Sequence, residues 1–145
     1  MRGRAPMKVQ VTQIAGQRFE VHTDGATLTV DVPTAQGGQP GGFSSGELLL
    51  GALGACMLGT LVEAEALQGT QLEGVAVELV AEAAAKPQRI GSIDVHLELP
   101  AGLPPQQQDR YTRSPSRCKI HNTLHQPPTI TMHTSTANTA RIAHS

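Results

Sequence analysis

Three segments near the start of the chain alternate apolar and polar residues with the two-residue period of a half-buried strand: KVQVTQI (8–14), QRFEVHT (17–23) and ATLTVDVP (26–33). Asp24-Gly25 is a hairpin signal between the last two, and Ala15-Gly16-Gln17 turns the first pair. The pattern predicts a three-stranded antiparallel meander with one face to bury. Periodicity then stops. Residues 34–46 are rich in Gly, Pro and Ser and read as a loop. The loop meets a helix at Ser44, with Glu47 three residues on, in the order of a capping box. The helix is expected to run to about Gln68, where Gly69 suits the residue past its end.

Inside that helix the apolar residues are not confined to a stripe. Leu48, Leu49, Leu50, Leu53, Met57, Leu58, Leu61 and Val62 cover most of its circumference, which predicts a central element whose first four turns are buried. Gly51, Ala55 and Gly59 fall at four-residue intervals, a ridge on which another backbone can approach closely. Glycine costs roughly 1 kcal/mol against alanine inside a helix. Gly51, Gly54 and Gly59 therefore imply compensating close packing, with a second helix the natural candidate.

Alternation returns at 72–84 and 90–99, a second hairpin turning across residues 85–88, with Glu78, Glu82, Asp94 and Glu98 on its wet faces. Residues 103–113 form a polar helix with Pro104 and Pro105 at its first turn. Ser114-Pro115-Ser116 breaks it, a short helix follows to about His125, and TITMHT (129–134) reads as a last strand. The expected fold class is α+β: an N-terminal antiparallel meander and a second β group around a long buried central helix. One domain spans residues 1–145, with its core at about 7–134 and a polar, patternless tail at 135–145.

Composition changes this picture in two ways. The 145 residues include no Trp, one Tyr and two Phe, so aliphatic side chains and Ala must fill the core, which suggests a broad interface with a second subunit. A formal net charge of −1 without any basic block argues against a nucleic-acid partner. The N-terminus carries positive charge but no apolar stretch behind it, unlike a secretory signal. The uncharged apolar run 48–62 is short for a bilayer span. A cytoplasmic location, away from membranes, is the expectation.

In that compartment two cysteines, Cys56 and Cys118, are either reactive thiols or two small core residues. Cys118 lies near the start of the short helix, where backbone amides favour a thiolate, and Arg113, Arg117 and Lys119 add positive charge. Cys56 sits in mid-helix without a charged neighbour, a setting in which thiols are ordinarily inert. If it reacts, a cation from elsewhere in the fold must lower its pKa.

GELLLGALGACMLGTL resembles the central-helix signature of the OsmC/Ohr peroxidases (osmotically inducible protein C and organic hydroperoxide resistance protein), and RCKIHNTL resembles their second cysteine motif. The order of elements is similar over residues 7–134, and GQRFEVHTDG is closer to the OsmC-like branch. The resemblance implies an intertwined homodimer with no cofactor. It also implies a thiol peroxidase in which Cys56 takes an oxygen from an organic hydroperoxide and becomes a sulfenic acid. Cys118 then resolves that acid as a disulfide, and a dithiol reductant, often a lipoylated protein, restores the thiols. Bulky apolar peroxides are expected to be preferred over hydrogen peroxide.

The family also uses a Glu at the helix entry and an Arg from the N-terminal sheet, which correspond here to Glu47 and Arg18. Each has a purely structural alternative, as a capping residue and a surface strand residue. Nine residues turn a helix through about 900°, placing Glu47 and Cys56 on opposite faces. Helices packed back to back in a dimer would reunite them. Two other readings compete. Cys118, His121 and His125 have a spacing from which a helix could hold zinc. Alternatively, the fold is a dimeric small-molecule binder without catalysis.

Overall fold

The computed structural model describes residues 6–136 of the chain. The first alternating segments form an antiparallel sheet of β1 (Gln10–Ala15), β2 (Arg18–Thr23) and β3 (Ala26–Val30), in that order. Asp24-Gly25 turns β2 into β3, with Thr23 opposite Ala26. Val11, Val21 and Leu28 oppose one another across the sheet, as do Gln13, Phe19 and Val30, so the apolar positions share a face. Little of the same chain covers that face: Val11 remains 58% exposed. The loop beyond β3 is tied back by hydrogen bonds that the Asp31 amide donates to the Phe43 carbonyl and the Phe43 amide to the Thr29 carbonyl, both 2.9 Å.

Helix α1 (Ser45–Ala66) opens with the expected reciprocal cap. Ser44 Oγ accepts from the Glu47 amide at 3.2 Å, and Glu47 Oε1 accepts from the Ser44 amide at 2.8 Å. At 22 residues it is long and apolar enough to cross a membrane, longer than its uncharged run suggested. Here it packs on protein. Its buried residues are Leu53, Gly54, Met57, Leu61 and Glu65, one stripe rather than the whole circumference. The expectation of burial all round therefore fails within one chain. The second hairpin and the C-terminal helices cover a single side, leaving Leu49 and Val62 each 38% exposed.

That hairpin pairs β4 (Ala76–Ala84) with β5 (Arg89–Glu98), and its turn falls at residues 85–88 as expected. Glu78, Glu82, Asp94 and Glu98 are exposed. Val77 and Leu79 approach α1 at Gly54, where an added Cβ would lie 2.7 Å from Leu79 Cδ1 and 3.1 Å from Val77 Cγ1. Gly54 is thus compensated by a strand, not by a second helix.

Helix α2 (Pro105–Arg113) begins at a proline, whose missing amide costs nothing in a first turn. It runs directly into a 3₁₀ turn (Ser114–Arg117), and Cys118 then caps α3 (Lys119–His125). The strand expected at 129–134 does not form. Those residues pair with no strand among the described residues, and Ile130 and Met132 are 84% and 85% exposed. Six alternating residues define a ladder only where a sheet edge receives them. Most of the polar tail, residues 137–145, lies outside the described residues.

Candidate functional site

Sixty-two positions separate the cysteines, and the fold brings them together. Leu53, Met57 and Cys118 form the centre of the core, with Cys56, Leu79, Ile93 and Ile120 packed against it. Both thiols are free. Cys56 is presented from the middle of α1 and is half-buried, whereas Cys118 is 1% exposed.

Cys118 arrives by way of local geometry. Pro115, buried under α1, fixes the 3₁₀ turn, and Cys118 follows in extended conformation (φ −73°, ψ 153°) as the residue before α3. Its Sγ accepts from the His121 amide at 3.2 Å, the bond that serine or aspartate makes in an ordinary N-cap. The next amide of the turn, that of Ile120, points instead at Cys56 Sγ, 3.5 Å away. One helix start therefore supplies donors to both sulfurs.

The electrostatics of the pair are unequal. Burial raises the Cys56 pKa, but hydrogen bonds from the Ile120 amide, the Cys118 thiol and the Lys119 amide outweigh it, helped by the Lys119 charge. The net shift is downward, toward thiolate. Burial is the largest influence on Cys118 and raises its pKa. The bond it gives to Cys56 and the negative charge there add to the rise, which the His121 and Ile120 amides only partly offset, so the net shift is upward, toward the neutral thiol. This reverses the local reading of the two cysteines. The cation Cys56 requires comes from the residue after Cys118.

α1, β5 and α3 line an open, largely apolar pocket of about 580 Å³, whose walls include Leu49, Leu53, Ile93 and Leu124; neither cysteine lines it, but Met57, the chain neighbour of Cys56, does. His121 and His125 lie on its α3 side, their rings in tilted contact with centroids 4.4 Å apart and planes at 42°. No cluster of three or more metal-ligating side chains exists among the described residues, and the zinc reading fails. Cys118 stands outside the helical repeat that would align it with the two histidines, and its sulfur faces the Cys56 side of the core.

Glu47 and Arg18 are not brought to the thiols. Glu47 is exposed at the start of α1, and its pKa is lowered by the Ser44 amide and hydroxyl. Arg18 Nη1 bonds Asp31 Oδ2 at 3.0 Å. Asp31, 8% exposed, also accepts from the amides of Val32 (2.7 Å) and Gln39 (3.2 Å). Burial raises its pKa, but the Gln39 and Val32 amides and Arg18 together bring it below the ordinary value.

Sequence reasoning missed Asp31 and the contribution of Lys119 and Ile120 to Cys56. It also missed Glu65, fully buried on α1 and held by Arg110. The signal for Glu65 was present: a carboxylate four residues after Leu61 continues the buried stripe and demands a partner.

Two free cysteines brought together in one core, one shifted toward thiolate and one toward the neutral thiol, mark a dithiol protein of α+β fold. The model of the OsmC-like protein family matches residues 37–133, and the chain belongs to that family. Solved structures agree in fold. An OsmC-like protein from Mycoplasma pneumoniae is 18% identical, with a TM-score of 0.74 over 85% of this chain and 89% of that one. A Psychrobacter arcticus protein assigned to osmotic stress and detoxification responses is similar at 18% identity, TM-score 0.74, over 85% and 91%. An organic hydroperoxide resistance protein OsmC from Legionella pneumophila, also described as a redox protein, has 18% identity and a TM-score of 0.63 over 83% and 91%. No curated protein sequence matches the chain significantly.

Proposed function

We propose that the chain is a thiol peroxidase for organic hydroperoxides. One observation carries the reading: Cys56 Sγ receives the Ile120 amide and the Cys118 thiol beside Lys119, a setting that favours a thiolate with its resolving partner in place. Membership of a family that includes a hydroperoxide resistance protein supports it.

In the cycle, the Cys56 thiolate attacks the terminal oxygen of ROOH. An S–O bond forms, the O–O bond breaks, and the alkoxide takes a proton and leaves as ROH. Sulfur loses two electrons and the peroxide gains them. Cys118 then attacks the sulfenic sulfur. An S–S bond forms and hydroxide departs with the Cys118 proton as water. An external dithiol, such as a lipoylated protein, returns two electrons and two protons by exchange. The apolar cavity suits a bulky alkyl group better than hydrogen peroxide. A reducing compartment such as the cytoplasm fits this cycle.

The working unit in this reading is a homodimer. The apolar face of the first sheet and the uncovered side of α1 supply area for a second copy, which would bring Arg18 and Glu47 of one chain toward Cys56 of the other. Thiol titration with intact-mass analysis tests the cycle, before and after one equivalent of cumene hydroperoxide, on wild type and Cys118→Ser. Loss of both thiols in wild type, with a trapped sulfenic acid on Cys56 in the variant, is expected. Two thiols that survive the peroxide unchanged would overturn the reading in favour of a binding protein.

A further inference from the structure

Helix α1 carries a carboxylate where its buried stripe calls for hydrocarbon. Glu65 follows Leu53, Met57 and Leu61 at four-residue intervals and is 0% exposed. Both its oxygens are taken by one guanidinium: Arg110 Nη2 donates to Oε1 at 2.8 Å, and Nε donates to Oε2 at 3.1 Å. The adjacent Tyr111, 1% exposed, lies against the same carboxylate. The Arg110 guanidinium carbon stands 5.4 Å from the centre of the Tyr111 ring. A two-pronged contact of this kind fixes direction and distance as well as charge.

The position of this pair relative to the thiols is informative. Glu65 lies nine residues after Cys56 on uninterrupted helix, about 14 Å along the axis. Arg110 lies eight residues before Cys118, and that stretch passes from α2 through the 3₁₀ turn to the cap of α3 without a loop. The two stretches are stiff rails. The ion pair joins them at one end, and the thiols meet at the other. A slip of α2 along α1 would carry Cys118 with it.

We infer that Glu65 and Arg110 are positioning residues for disulfide closure, setting the height of Cys118 along α1 so that its sulfur meets Cys56. They touch neither peroxide nor sulfur. They act on the step in which the Cys118–Cys56 S–S bond forms, the S–O bond breaks and water leaves. The use made of this geometry rests on the cycle proposed above, but the pairing itself is measurable without peroxide.

The test compares wild type with Glu65→Gln, which keeps the shape and loses the charge, and Arg110→Lys, which keeps the charge and loses the fork. In glutathione redox buffers, the effective concentration of Cys56 toward Cys118, read by intact mass, is expected to fall tenfold or more in both variants. In a single turnover with cumene hydroperoxide, Cys56 oxidation should stay within threefold of wild type. Disulfide closure should slow tenfold or more, with sulfenic acid accumulating for trapping by dimedone.

Closure and effective concentration within threefold of wild type would overturn the inference, as would an equal fall in both steps. Should the single variants fail to fold, Glu65→Met combined with Arg110→Leu replaces the buried pair with hydrocarbon, and the same measurements decide. A wild type inert to peroxide would defeat the peroxidase reading, while the glutathione equilibrium would still judge the positioning role.

Discussion

The glycines of α1 allow a prediction in which the sign depends on what lies opposite. Gly51, Gly54 and Gly59 each forgo about 1 kcal/mol of helix propensity relative to alanine. At Gly54 a new Cβ would stand 2.7 Å from Leu79 Cδ1 and 3.1 Å from Val77 Cγ1. Leu79 can rotate away at its tip, but the β-branched Val77 is stiff in χ1. Overpacking of this kind costs roughly 1–3 kcal/mol. Set against the propensity gain, Gly54→Ala should lose about 0–2 kcal/mol. At Gly51 and Gly59 a Cβ meets nothing within 4 Å in its own chain, so a lone protomer would gain up to about 1 kcal/mol from either substitution. The proposed dimer reverses that sign, because a helix of the second copy on this ridge leaves no room for a methyl group. Urea unfolding over a hundredfold range of protomer concentration separates the cases. The expected result is a lower midpoint for Gly54→Ala at every concentration. Gly51→Ala and Gly59→Ala should have midpoints that fall below wild type and depend on concentration. A raised midpoint for Gly54→Ala would refute the packing argument at β4. Stabilisation by Gly51→Ala and Gly59→Ala at all concentrations would refute the dimer.

Three further perturbations address the site and its support. Lys119→Met removes the charge that helps hold Cys56 as thiolate, so the pH at which its alkylation by iodoacetamide is half-maximal should rise. The rate at pH 7 should fall by less than about tenfold, since a tenfold change is ~1.4 kcal/mol and the amide donors remain. Asp31 has a folded pKa below its unfolded value near 3.9. The stability it contributes is complete above that pH and is lost as pH falls through the lower folded value, so wild type should weaken more steeply in acid than Asp31→Asn in urea titrations between pH 5 and about 2. Leu61→Ala, at a fully buried position on α1, should cost about 2–5 kcal/mol by the same assay, with little change in Cys56 reactivity per folded molecule.

What the sequence disclosed follows the range of the interactions involved. The β2–β3 turn at Asp24-Gly25, the Ser44–Glu47 cap and the 85–88 turn depend on neighbours within a few residues, and all three stand where local chemistry puts them. The 129–134 segment has the alternation of a strand, but a strand also needs an edge, and alternation says nothing about that. The all-round apolar surface of α1 was read as burial, yet one chain covers a single stripe. Residues 48–62 carry more apolar surface than this fold consumes, and that excess is what motivates the proposed second copy.

The cysteines show the same limit at the level of chemistry. Judged by neighbours in the chain, Cys118 had every feature of the reactive thiol: a helix start and a run of cations. Those features are real, but a capping residue lies in line with its own helix start rather than facing it. The Cys118 sulfur takes the His121 amide as its main donor, while the main donor to Cys56 is the Ile120 amide, with the Lys119 amide and charge beside it. Burial works in the same direction, because a thiol at 1% exposure pays the full cost of ionising and so keeps its proton, leaving the charge to Cys56. A single negative charge shared by two sulfurs settles where donors converge and water still reaches, and both conditions hold at Cys56. That division of labour depends on α3 starting one residue after Cys118. Moving the cap by one position would take the Ile120 amide, the strongest of the donors that lower the Cys56 pKa, away from its sulfur and weaken the thiolate preference.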